Sequence, residues 1–219
     1  EKIWAKSKSS KRYDLYEWLD YRHKLINQNP NAKYIVIYPV SATHLVSCIV
    51  HNENWREKSS LGKPVLIGHT LYGFFTDNKK EADYLVAILN SSILDSLIKP
   101  MQAKGFAGSE RHISKKPLEF PIPKFDGNNS LHVQLSELGK KAAEKAYEIL
   151  PRILKEKGYD KKLQERGTLV PTEVANLRTS IREEIKDLLD QIDELVLNLL
   201  SNTKTVTRTK LDMFTLSKN

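Results

Sequence analysis

The alternation of apolar and polar positions divides this chain into a strand-rich half and a helical half. Tyr34-Ile35-Val36-Ile37-Tyr38 is a β-branched and aromatic run closed by Pro39, and residues 45–50 form a second. Val65-Leu66-Ile67 and Thr70-Leu71-Tyr72-Gly73-Phe74-Phe75 predict further strands, giving at least four before the main helix. That helix is expected from Tyr84 to Ile98. Tyr84, Leu85, Ile88, Leu89, Ile93 and Leu97 recur at helical spacing, and Val86, Ala87 and Leu94 widen the stripe, so the helix should be mostly buried. Asp77 and Asn78 supply N-cap chemistry, Glu81 stands three residues on as in a capping box, and Pro100 ends the helix.

The flanks follow the same logic. Leu15, Trp18, Leu19 and Arg22 predict a short helix within residues 13–25, and residues 27–31 read as a turn. Gly127-Asn128-Asn129-Ser130 reads as a turn and a domain boundary, with Ser130 the candidate N-cap of the next helix. Leu131, Leu135, Leu138, Ala142, Ala146, Ile149 and Ile153 give that helix, 131–157, an apolar seam that Pro151 should kink or shorten. Residues 158–171 are expected as a loop. Thr172 then caps a helix over 172–200 whose seam is Val174, Leu177, Ile181, Leu188, Ile192, Leu195 and Leu199, passing near Ile185. Two seams joined by a connector favour an antiparallel pair. The predicted fold class is α+β: a mixed β-sheet domain with a buried helix over 1–126, then a helical hairpin over 127–219 ending in a frayed tail.

Composition narrows the class. Hydrophobic content of 40% with 28% charged residues is ordinary for a soluble globular chain. No apolar run approaches the roughly 20 residues of a membrane span. The start Glu1-Lys2-Ile3-Trp4 lacks Met and any signal-peptide pattern, which leads us to expect a fragment. The lone Cys48 excludes an internal disulfide and a cysteine-based zinc site. Its neighbours Val46, Ile49 and Val50 predict that it is buried, and reducing, cytoplasmic surroundings fit.

Charge points to a partner. The net charge is +8, with 19 Lys/Arg against 13 Asp/Glu in residues 1–126 and 16 against 14 in the remainder. The excess therefore lies in the strand-rich half. There Lys104, Arg111, His112, Lys115 and Lys116 cluster around Gly105 and Gly108, opposed only by Glu110 and Glu119. Glycines permit close approach to a ligand backbone, and the cations suit phosphate. Pro117, Pro121 and Pro123 set an extended exit over 118–123. Ser41-Ala42-Thr43-His44, a small polar loop between strands, could face DNA bases. Trp55, Arg56 and Lys58 fall in a polar loop, where a packed Trp55 is expected.

Catalytic patterns are sparse. The six histidines form no HxxxH or HExxH pair, and no GxG loop follows a strand. Glu184-Ile185-Lys186 fits a nuclease ExK element. Within a helix, however, its two charges diverge, so solvated helix charges explain it better.

His69 to Tyr72 (HTLY), Leu85 to Ser91 (LxAxLNS), the glycine-basic loop from Gly105 to Lys116 and Leu118 to Asp126 (LxxPIPxFD) occur here in that order. Across about residues 40–150 this arrangement resembles the C-terminal target recognition region of large adenine-N6 DNA methyltransferases, including those of restriction-modification systems. The resemblance implies a region that reads double-stranded DNA while an upstream Rossmann-like domain binds S-adenosylmethionine and transfers the methyl group. The family's base-holding Asn/Asp-Pro-Pro-Tyr/Phe motif is missing, since Asn29-Pro30-Asn31 lacks the second proline and the aromatic. No cofactor or catalytic residue is therefore expected in this chain. Lys104, Arg111, Lys115 and Lys116 are the expected phosphate contacts, with Ser41, Thr43, His44, Ser109 and His112 as candidate base readers. The competing expectation is a helical protein-interaction module that docks a partner subunit through residues 131–157 and 172–200.

Overall fold

The sheet is built around β1 (Tyr34–Pro39), flanked by β2 (Cys48–His51) and β3 (Leu71–Thr76) in the order β2-β1-β3. The computed structural model describes residue 6 and residues 12–20, 23–102 and 112–202. Both strand pairings are antiparallel, so the sheet is not mixed as expected. Residues 40–47 are too few for the dozen or more that a parallel crossover needs. Val36 lies opposite Ile49 and Phe74 on the helix-facing side, while Ile35 and Ile37 point to the other face.

The fourth strand expected at Val65–Ile67 does not form. Side-chain amides hold that segment in place of a ladder. Ile67 exchanges two hydrogen bonds with the Gln28 carboxamide (2.8 and 2.9 Å), and Val65 N–H donates to Asn52 Oδ1 at 2.9 Å. Ile67 then covers Gly73, where an added Cβ would sit 2.4 Å from Ile67 Cδ1. Cys48, expected to be buried, is exposed. It pairs with Ile37 on the face away from the helices, at the end of an edge strand.

Helix α1 (Leu15–Leu19) is short and opens on a reciprocal capping box between Asp14 and Glu17. The expected polar loop around Trp55 is instead a helix, α2 (Asn52–Lys58). The long buried helix is split into α3 (Lys79–Asn90) and α4 (Ser92–Ile98). Ser91 leaves helical geometry (φ −62°, ψ 137°), and its hydroxyl caps Ile93 N–H. Asn78 caps α3 as expected. Glu81 does not complete a box, because its carboxylate accepts from the Thr76 hydroxyl at 2.6 Å.

Helix α5 (Ser130–Glu156) starts one residue earlier than expected, with Asn129 rather than Ser130 as N-cap. Pro151 neither shortens nor breaks it. Tyr147, four residues before, is strongly exposed, so the carbonyl that loses its N–H partner faces the solvent side. Where a loop was expected over 158–171, α6 (Tyr159–Arg166) sits between the left-handed glycines Gly158 and Gly167. The last helix is also broken, into α7 (Pro171–Glu184) and α8 (Lys186–Asn202), at the buried Ile185. Val170, not Thr172, precedes α7, and its N–H donates to the Glu173 carboxylate. Lys162, that N–H and Arg166 together hold Glu173 down to about 2. Glu184 pairs with Arg152 at 2.7 Å, and Lys186 pairs with Asp190, so both charges of the ExK element are engaged in ion pairs.

The fold is α+β. α5 packs most extensively on α3, then on α8 and α7. One apolar core runs from Val36 and Phe74 through Leu85, Ile88 and Leu135 to Ile192 and Val196, and so crosses the boundary expected near Gly127. No helix among the described residues is long and apolar enough to cross a membrane. The tail expected to fray, residues 203–219, lies outside the described residues.

Candidate nucleic-acid interface

Beyond Pro39 the chain leaves the sheet, and a second segment joins it there. Val40 N–H donates to Thr70 O and Val40 O accepts from Ser114 N–H, both at 2.9 Å; Ser41 forms an isolated antiparallel bridge with His112. The Tyr38 hydroxyl donates to Ser114 O at 3.1 Å, and the Tyr38 ring stacks on Tyr72 at 5.0 Å. Burial pushes the Tyr38 phenol well above its ordinary pKa, so it remains a donor. Ile113 is fully buried in the core, which turns its neighbour His112 outward. Ser114 is held in the left-handed region, φ +49°. The chain then enters a 3-10 turn over Lys116–Glu119, so the extended exit begins only at Phe120, later than expected.

The loop 41–47 is pinned at successive residues by α3, α4 and the turn after them. Asp95 accepts from Leu45 N–H at 2.8 Å and lies 2.9 Å from His44 Nδ1. Lys99 Nζ donates to Thr43 O and lies 3.2 Å from His44 Nδ1. Asn90 exchanges two hydrogen bonds with the backbone of Ser47, at 2.9 and 3.0 Å. Leu45 is buried beneath the loop. The helix break that presents Asn90 and Asp95 is itself held from the C-terminal helices. Asp193 accepts from Ser91 Oγ at 2.7 Å and from Ser92 N–H at 2.8 Å, while Arg182 donates to Asn90 O and Ser92 Oγ. A loop fixed this way presents its side chains reproducibly.

Residues far apart in sequence therefore meet. Ser41, Thr43, His112 and Lys115 are exposed at one end of the sheet, with His44 and Lys116 half-buried beside them. Lys104, Ser109 and Arg111 lie outside the described residues. Trp55 is 53% exposed rather than packed. It follows His51, which pairs with Tyr34 at the opposite end of β1 from Pro39, about one strand length of ~17 Å away. Three positioning residues, Asn90, Asp95 and Lys99, escape a reading of the sequence. The signal for the last two was an Asp-to-Lys pair at i, i+4 just before Pro100.

The turn from β3 into α3 is made by Thr76, Asp77 and Asn78, and its donors and acceptors are consumed locally: Asp77 accepts from Lys33 N–H and Asn78 caps the helix. Among the described residues no group of three or more His, Cys, Asp or Glu could hold a metal ion. Compared with known proteins, the chain matches no family model, no curated protein and no solved structure.

Proposed function

We propose that this chain is the DNA target recognition region of an adenine-N6 DNA methyltransferase from a restriction-modification or phage-defence system. On this reading it works in the cytoplasm and seats duplex DNA for an upstream domain that binds S-adenosylmethionine and transfers the methyl group. One observation carries the reading. The loop 41–47 and the segment 112–116 converge on one end of the sheet, presenting hydroxyls, imidazoles and cations from a rigid frame. Lys115 and Lys116, with Lys104 and Arg111, supply phosphate contacts that set register. Ser41, Thr43, His44, Ser109 and His112 reach base edges. The resemblance of the segment from His69 to Asp126 supports the family assignment. A partner-docking role for the helices has less behind it, because Leu135, Ile149, Ile192, Val196 and Leu199 already bury their seams within the chain.

The test is a fluorescence-anisotropy titration of the 219-residue chain against duplex DNA at several salt concentrations. Each phosphate contact contributes about −0.9 to the slope of log affinity against log salt. Replacing Lys115 and Lys116 together by Ala should weaken binding to every duplex and flatten that slope by up to about two units. Equal slopes for both proteins would remove this face from a DNA interface.

A further inference from the structure

We infer that His44 presents a bare Nε2 acceptor and thereby selects a base with an exocyclic amino group, adenine or cytosine, in the major groove. The inference rests on the DNA-binding reading above and adds to it the chemistry of the base selected. It starts from which ring nitrogen carries the proton. Asp95 Oδ2 lies 2.9 Å from Nδ1, and Asp95 Oδ1 is engaged by the Leu45 N–H. A carboxylate can only accept. An unprotonated Nδ1 at that distance would set lone pair against lone pair, so the proton sits on Nδ1 and donates to Asp95.

Lys99 does not reverse this. Its ammonium is 3.2 Å from the same nitrogen, but the Asp95–Nδ1 contact is the shorter. The three N–H groups of Lys99 are met by the Thr43 carbonyl, by solvent and by the charge of Asp95 Oδ2 at 3.8 Å, without a lone pair on Nδ1. Its charge instead favours the ionised carboxylate of Asp95, which can only accept. A neutral imidazole protonated at Nδ1 has an unprotonated Nε2, which can only accept. The His44 side chain is 44% exposed, and no described residue bonds its Nε2. In the major groove adenine N6 and cytosine N4 are the donors, whereas guanine and thymine offer acceptors there. The Asp95 and Lys99 contacts fix the ring, so the acceptor is aimed before DNA arrives.

Two measurements on the 219-residue chain test this. Long-range 1H–15N correlation NMR of the 15N-labelled protein at pH 8 should show His44 as the Nδ1-protonated tautomer; the Nε2-protonated pattern would overturn the inference whatever the protein binds. Selection from a randomised duplex pool should then return a position where adenine or cytosine is favoured about fivefold over guanine and thymine, the size of one net hydrogen bond. His44→Asn keeps a donor for Asp95, but its carbonyl acceptor ends closer to the backbone than Nε2 and cannot take that position, so the preference should vanish. Salt-dependent DNA binding with the same base preferences in wild type and His44→Asn would overturn the inference while leaving the DNA-binding reading intact. Failure of the wild-type chain to bind any duplex would overturn both.

Discussion

Gly139 of α5 lies directly against the main chain at Asp83 of α3: a Cβ added there would stand 2.3 Å from the Asp83 carbonyl oxygen and 3.0 Å from Ala87 Cβ. The closest approach of the two helices depends on that missing side chain. In an exposed helix, Gly→Ala would stabilise by about 1 kcal/mol. Here it forces backbone apart, and overpacking typically costs about 1–3 kcal/mol. Gly139→Ala should therefore lower the urea midpoint. A higher midpoint would mean that the helices separate easily and that the contact is dispensable.

His132 sits in the same packing layer, 4% exposed, with Nδ1 accepting from Asp126 N–H at 3.0 Å and its ring 4.9 Å from that of Tyr84. Burial pushes its pKa below the ordinary value, opposed in part by the Asp126 charge. The folded state therefore prefers the neutral ring. Its contribution is complete above the unfolded value of about 6.5 and is lost as pH falls through and below it. The urea midpoint of the wild type should fall between pH 7 and 5. His132→Asn, which can still accept from Asp126, should start lower and change less over that range; equal pH dependence would place the titrating group elsewhere.

Adjacent residues of α8 differ sharply in environment. Val196 is fully buried, while Leu197 is 54% exposed. Val196→Asp places an unpaired carboxylate in the core and should cost about 3 kcal/mol or more, whereas Leu197→Asp should stay within about 0.5 kcal/mol. Chemical denaturation of the two variants checks the orientation of α8. Similar losses would show that the helix is rotated from the orientation described.

Ser114 holds a left-handed backbone at the candidate interface, secured by Val40 O and the Tyr38 hydroxyl. That conformation costs a non-glycine residue about 1–2 kcal/mol, while glycine loses about 0.5–1 kcal/mol more through its unfolded-state entropy. Ser114→Gly should therefore be neutral to slightly stabilising in thermal melts. Ser114→Val, β-branched where φ is positive, should lower the melting temperature and weaken DNA binding together. Tolerance of valine without either effect would show that this turn does not shape the interface.

Local pattern determined much of this protein. The runs at Tyr34–Tyr38 and Thr70–Phe75 and the seam from Leu131 to Ile153 are set by period-2 or helical spacing and became two strands and one helix, while the stripe from Tyr84 to Ile98 became two helices rather than one. The polar candidates Ser41, Thr43, His112 and Lys115 could be read off the sequence, and all four are exposed. What pattern could not supply were features created by partners distant in the chain. The break at Ser91 depends on Asp193 and Arg182, about a hundred residues on. The lost strand at Val65–Ile67 depends on Gln28 and Asn52. The frame around His44 depends on Asp95 and Lys99. Hydrophobic period is a property of neighbours along the chain, so the sequence carries it alone. A hydrogen bond between side chain and distant backbone exists only once packing has brought the two together, and the tertiary structure alone decides it.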